Sequence, residues 1–173
     1  SGEIYVGLLP YVKKWCSDNG IRYEIEVGVE EKRTITRSVV KGFVRSLKPK
    51  SRGKSLKVRD YQIEAVHHAL SRDRCLLVSP TASGTSLVIY SIVRYHQMSE
   101  RKILILVPTT SLVEQMYKDF EDYGWNAEDF CHRIYSGREK TNEFPVVITT
   151  WQSIYKLPRK FFDGFDVVIG DEA

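Results

Sequence analysis

At 173 residues, 42% hydrophobic and with a formal net charge of +4, the chain can bury one good core and carry an appendage. No apolar stretch approaches the roughly 18 residues that cross a bilayer as a helix, and the first residues lack the pattern of a secretory signal, so no membrane partner is expected. Cys16, Cys75 and Cys131 are odd in number and outside C-x-x-C spacing, which predicts reduced thiols in a cytoplasmic protein.

Residues 8–19 place Leu8, Leu9, Val12, Trp15 and Cys16 at helical spacing, with Gly20 as a stop signal. Ile21, Tyr23, Ile25 and Val27 alternate with Arg22, Glu24 and Glu26, the pattern of a half-buried strand. This small α–β appendage, residues 1–28, reads as the remnant of a larger N-terminal accessory domain. Residues 29–57 form a basic connector with a short helix around Val39 to Leu47. Residues 30–59 hold 11 Lys/Arg and 2 Asp/Glu, while the rest of the chain is net acidic. Such a cluster has two readings. It attracts a polyanion by counterion release, or it is a solvated linker interrupted by Pro49, Gly53 and serines.

From Val58 the pattern changes to short apolar runs alternating with amphipathic helices. Strands are predicted at 75–79, 102–107, 146–150 and 166–169, and helices at 60–70, 86–98 and 111–123. The last helix begins with a Ser111–Glu114 capping box and carries Met116, Tyr117, Phe120 and Tyr123 on one side. The four runs are continuously apolar, as strands covered on both faces are. The predicted fold class is therefore α/β, a parallel sheet flanked by helices over residues 58–173, with ligands beyond the carboxyl ends of the strands. The four histidines show no metal spacing with the cysteines and read as ordinary surface or helix residues.

Ser79–Ser86 follow an apolar run and open a helix, the geometry that aims backbone N–H groups at phosphate. In G-x-x-x-x-G-K-[ST] a lysine reaches the outer phosphates and the last hydroxyl binds Mg²⁺. Here Gly84 and Ser86 fit the pattern, Ser79 stands at its first glycine, and Thr85 occupies the lysine position. Asp171-Glu172 end the run Val167–Ile169, where an aspartate can hold Mg²⁺ through water and a glutamate can deprotonate an attacking water. An exposed acidic turn is the alternative, and the upstream phosphate loop argues against it. Tyr61-Gln62 precede that loop, and a glutamine amide matches the donor and acceptor edge of adenine. Pro108-Thr109-Thr110 combine a strand end, hydroxyls and a helix start, suited to gripping a nucleic-acid phosphate. Thr150-Trp151-Gln152 repeat that arrangement one strand later, with Trp151 either stacking on a base or packing on the sheet.

In this order and spacing, Arg59–Gln62, Pro80–Ser86, Val107–Gln115, Thr149–Ser153 and Val168–Ala173 resemble five motifs of the first motor lobe of superfamily 2 helicases, a RecA-like fold. Gly7–Pro10, Lys13–Cys16 and Asn19-Gly20 extend the resemblance to the phage UvsW-type group. That resemblance implies ATP and Mg²⁺ as cofactors, and DNA, branched or in RNA–DNA hybrids, as substrate in recombination and replication restart. The sequence itself shows no preference for branches. It also implies a nucleotide site at Tyr61, Gln62, Thr81, Ala82, Ser83, Gly84, Thr85 and Ser86, and Mg²⁺ at Ser86 and Asp171. Glu172 with Asp171 would be catalytic, and Pro108, Thr109, Thr110, Gln115, Thr150, Trp151 and Gln152 would meet nucleic acid. A phage-encoded protein would work in the host cytoplasm.

Two departures qualify these expectations. Thr85 offers no charge to the transferred phosphate, so the chain is expected to be catalytically incapable; a nucleic-acid-binding module without ATP chemistry is the alternative reading. The family's second lobe is missing after Ala173, which predicts an incomplete first lobe. In such folds the next strand lies between the phosphate-loop strand and the strand before Asp171, leaving strand 166–169 with a free edge. A P-loop kinase or metabolic ATPase explains Pro80–Ser86 but not Arg59–Gln62, Val107–Gln115 or Thr149–Ser153.

Overall fold

In a computed structural model, residues 8–25, 35–72, 74–80 and 83–171 are described. Helix α1 (Leu9–Asp18) carries Pro10 in its first turn, where a missing N–H costs nothing, and Gly20 turns the chain after it at φ 65°. Residues 21–25 form no strand; Ile21 and Tyr23 are exposed, and no strand among the described residues pairs with their alternating pattern. Glu26 and Val27, the rest of that predicted strand, lie outside the described residues, as do residues 29–34 of the connector.

Helix α2 (Arg37–Ser46) starts where the Thr36 hydroxyl accepts the Val39 N–H, and it buries Val40 and Val44 one turn apart. A two-residue loop, Arg52-Gly53, joins strands β1 (Lys50–Ser51) and β2 (Lys54–Ser55). Both loop residues have positive φ, 51° and 74°, as the tight hairpin turn demands. Helix α3 (Asp60–Leu70) buries Ile63, Val66 and Leu70 against α2 and against helix α4 (Thr85–Gln97).

The main sheet contains β3 (Ile103–Leu106), β4 (Cys131–Ile134), β5 (Val146–Thr149) and β6 (Val167–Gly170), parallel in the order β4-β5-β3-β6. Helices α4 and α5 (Thr110–Asp122) cover one face through Tyr90, Val93, Val113, Met116 and Phe120 packed on Ile103 and Ile105. The short helix α6 (Ala127–Phe130) leads into β4. The other face is closed by α7 (Trp151–Ile154) and α8 (Arg159–Phe162), with Ile154 and Phe161 on Leu104 and Val147. A parallel sheet with helices on both faces is the predicted architecture.

Residues 75–79 and the start of α5 differ from expectation, whereas β6 has the one-sided pairing expected of it. Residues 75–79 form no strand among the described residues, and Leu76 is 84% and Val78 90% exposed; an apolar run becomes a strand only when a neighbour accepts its hydrogen bonds. Strand β6 pairs with β3 alone among the described residues, and it buries only Val167 and Ile169 partly, leaving Val168 61% exposed. Helix α5 is capped two residues earlier than read: the Thr109 hydroxyl accepts the Leu112 N–H at 3.3 Å, and Ser111 lies inside the helix.

Glu114, read as a capping residue, instead ties α5 to β4. It accepts hydrogen bonds of 2.6 Å from both Tyr135 Oη and Arg133, and Arg138 lies 3.7 Å away. The Tyr135 hydrogen bond, then Arg133 and Arg138, hold its carboxyl below the usual range despite the opposing effect of burial. A lowered folded-state pKa stabilises above the unfolded pKa and is lost as pH falls through the folded value. Acid titration should therefore show a stability loss below about pH 4 that is absent in Glu114→Gln. That variant should be destabilised by about 1 kcal/mol at pH 7, read from denaturant midpoints. Parallel pH profiles for the two proteins would show that the network contributes nothing.

Candidate nucleotide and nucleic-acid site

The register Leu106↔Thr149, Ile134↔Thr149 and Leu106↔Gly170 brings all four strand ends to one edge. Pro108-Thr109-Thr110, Tyr135–Arg138, Thr150–Gln152 and Asp171 follow directly from those ends. Pro108, Thr109, Thr110 and Gln115 are exposed, although Thr109 spends one lone pair on its cap. Thr150 is buried and its hydroxyl meets Ser153 Oγ at 2.9 Å, so it shapes the turn rather than facing solvent. Trp151 is 56% exposed and only tilted toward Phe162, with ring centroids 6.3 Å apart. More than half of the ring is open to solvent. Asp171 extends the ladder past β6, its N–H donating to Leu106 O at 2.9 Å.

The loop read as phosphate-binding is held from the side by the start of α3. Tyr61 Oη donates to Ser83 O at 2.7 Å, and Arg59 donates to that same hydroxyl at 2.8 Å. Gln62 is only 5% exposed and its amide is engaged at both ends: Oε1 accepts the Arg59 N–H at 3.0 Å and Nε2 donates to Ser83 O at 3.1 Å. The amide read as facing adenine thus braces the loop. Gly84 has φ 80°, and a Cβ there would lie 2.5 Å from Gln62 Nε2, so the loop has both the conformation and the space of a glycine. Between Arg59, Tyr61 and Ala65 on one side and Val78, Ser79, Ser83 and Thr85 on the other lies a groove of about 570 Å³. Thr81 and Ala82, at the loop's tip, lie outside the described residues, as does Glu172.

Thr85 Oγ1 sits 3.3 Å from Ser83 Oγ, which also contacts Ser79 Oγ. Ser86 Oγ lies 2.7 Å from Tyr123 Oη, beside the Asp119 carboxyl. Burial pushes the Asp119 carboxyl up, and Asp122 adds to this while Ser86 opposes it. Sequence reasoning missed Tyr123 and Asp119 as neighbours of Ser86, since nothing local links positions 37 residues apart. Only Tyr123's place on the stripe with Met116, Tyr117 and Phe120 hinted that it faces inward.

Residues 55–173 match the protein family described as type III restriction enzyme, res subunit. The chain is 34% identical over 172 residues to the ATP-dependent DNA helicase uvsW of Enterobacteria phage T4, covering 96% of this chain and 34% of that protein. It is 31% identical over 118 residues to the DNA 3'-5' translocase XPB2 of Sulfurisphaera tokodaii, covering 68% of this chain and 25% of the relative. The crystal structure of the UvsW helicase from bacteriophage T4 superposes with a TM-score of 0.89 at 34% identity, covering 96% of this chain and 61% of that one. The chain thus spans about a third of the first curated relative and a quarter of the second.

Proposed function

The chain belongs to the type III restriction enzyme res-subunit family, with the α/β fold of a UvsW-type superfamily 2 helicase lobe, and we propose that it is a nucleic-acid-binding motor lobe whose ATP chemistry is disabled. The observation that carries the reading is the shared strand edge, where loops with hydroxyls, an open indole and Asp171 follow from the four strand ends. By the same proposal the lobe is of the kind that drives ATP-dependent helicases on branched DNA or RNA–DNA hybrids in recombination and replication restart, in a cytoplasm, with that ATP step lost here.

The residues fit a nucleotide in part. Gly84 opens a 13-residue helix whose N–H groups and dipole suit a phosphate, and the groove beside Tyr61 suits a flat base. Ser86 and Asp171 are the residues that would hold Mg²⁺, which supplies charge neutralisation to the outer phosphates. Ser86 would first have to leave Tyr123 and Asp119. Thr85 leaves phosphate charge without its cation, which favours the binding-only reading over active hydrolysis.

The test is fluorescence anisotropy with labelled single-stranded and duplex DNA. Sequence-independent binding is expected, weakening about tenfold or more between about 50 and 200 mM salt if several phosphates are contacted. Trp151→Ala should weaken single-strand binding by about 1–2 kcal/mol if the open ring stacks on a base. No binding at low salt by folded protein would overturn the reading.

A further inference from the structure

We propose that the cleft between the end of α2 and the β1–β2 hairpin is a second site for a nucleic-acid phosphodiester backbone, built by Arg45, Lys48, Lys50 and Lys57. The proposal rests on the nucleic-acid reading above and assigns it a location away from the strand-end loops. The cleft measures about 470 Å³, with Leu56 and Val58 contributing apolar wall and Ser55 a hydroxyl beside the four cations.

Charge is the first observation. Residues 35–59 hold nine Lys/Arg and no Asp/Glu. Among the described residues only Arg37 of this set forms ion pairs, with Asp60 and Glu64. Elsewhere Arg133 and Arg138 sit beside Glu114, and Arg159 beside Asp163. Collecting four exposed, unpaired cations around one cleft raises self-repulsion, which a bound anion relieves.

Rigidity is the second, and it argues against a solvated linker. The Arg52 N–H donates to both Asp122 carboxylate oxygens at 2.8 and 3.0 Å, and the Lys50 N–H to Tyr123 O at 3.3 Å. The hairpin is thereby pinned to the end of α5. The Leu56 N–H reaches Pro49 O at 2.9 Å, closing the cleft's base. Lys48 terminates α2 at φ 46°, a conformation where glycine is the usual occupant. Lysine at that position turns the chain and adds a charge to the rim.

The ligand's class follows from the site's openness. Exposed single cations spaced along a groove do not enclose a small anion, but they suit a polymer with regularly repeated charge, which gains by releasing counterions. Asp122, the carboxylate facing the hairpin tip, is occupied by the Arg52 N–H and leaves the cleft's own rim basic.

Anisotropy titrations of labelled duplex DNA over a salt series test this on the whole chain. Lys48→Ala/Lys57→Ala should lower the slope of log K against log[salt] by about 2, since each phosphate contact contributes about 0.9, and weaken binding about tenfold at low salt. Arg101→Ala/Lys118→Ala, of equal charge loss elsewhere, should change the slope by less than half as much. Equal effects from both pairs, or none from either while the parent binds, overturn the site but leave nucleic-acid binding standing. A parent that binds no DNA removes both readings. Reductive methylation of the unaltered chain guards against misfolded variants: DNA should protect Lys48, Lys50 and Lys57 severalfold over Lys118, and equal reactivity would overturn the proposal.

Discussion

Incubated with ATP, Mg²⁺ and DNA, the chain is expected to release no phosphate above a Glu172→Gln control. Phosphoryl transfer depends on positioning and on charge placed against the developing negative oxygens, so removing one such charge costs about 10²–10³-fold or more. Thr85 is short and neutral, and its hydroxyl is directed to Ser83 within the loop. Thr85→Lys should tighten nucleotide binding about tenfold, read by fluorescent-nucleotide titration, because it restores a point charge to the site. Turnover should stay at the control level even so, because the resemblance assigns the arginines on the other side of the phosphate to a second lobe. Measurable hydrolysis by either protein above the control would show that Thr85 is compatible with catalysis.

The sequence was most readable where one short segment carried its whole reason. Ile103–Leu106 and Val146–Thr149 are continuously apolar and lie buried between helices, and the α5 stripe of Met116, Tyr117 and Phe120 faces the core as its spacing requires. It was least readable where partners are distant. Strand β4, Cys-His-Arg-Ile, has polar residues at its centre, and they are accommodated by Phe144 stacked on His132 and by Arg133 lying 3.8 Å over the Tyr117 ring. The site follows the same rule. The loops at the strand ends were legible because each follows an apolar run, whereas the Gln62 brace and the Ser86–Tyr123 contact are long-range and leave no local trace. Residues 75–79 show the opposite error, since a local apolar signal cannot supply a pairing neighbour.

That unpaired segment and the free side of β6 predict the largest stability difference within the chain. Strands β3 and β5 each pair on both sides and are buried throughout, apart from the partly covered Leu106, so their amides open only with the whole core. Strand β6 has one partner, and residues 75–79 have none among the described strands. Hydrogen exchange should show 103–106 and 146–149 protected at least about 100-fold more than 75–79, roughly 3 kcal/mol, with 167–170 between them. The same features put Leu76, Val78 and Val168 in water beside open backbone groups, a template for pairing with another molecule. Light scattering should therefore rise with concentration, and Val78→Lys/Val168→Lys should suppress it while moving the melting midpoint little, because neither side chain contributes to the core. A strand supplied along the free side of β6 should raise protection in 167–170 and draw 75–79 into the sheet. Equal protection of 75–79 and 103–106 in the unaltered chain, with a sharp two-state melt, would mean that the sheet closes over that side and that the described strand order is wrong.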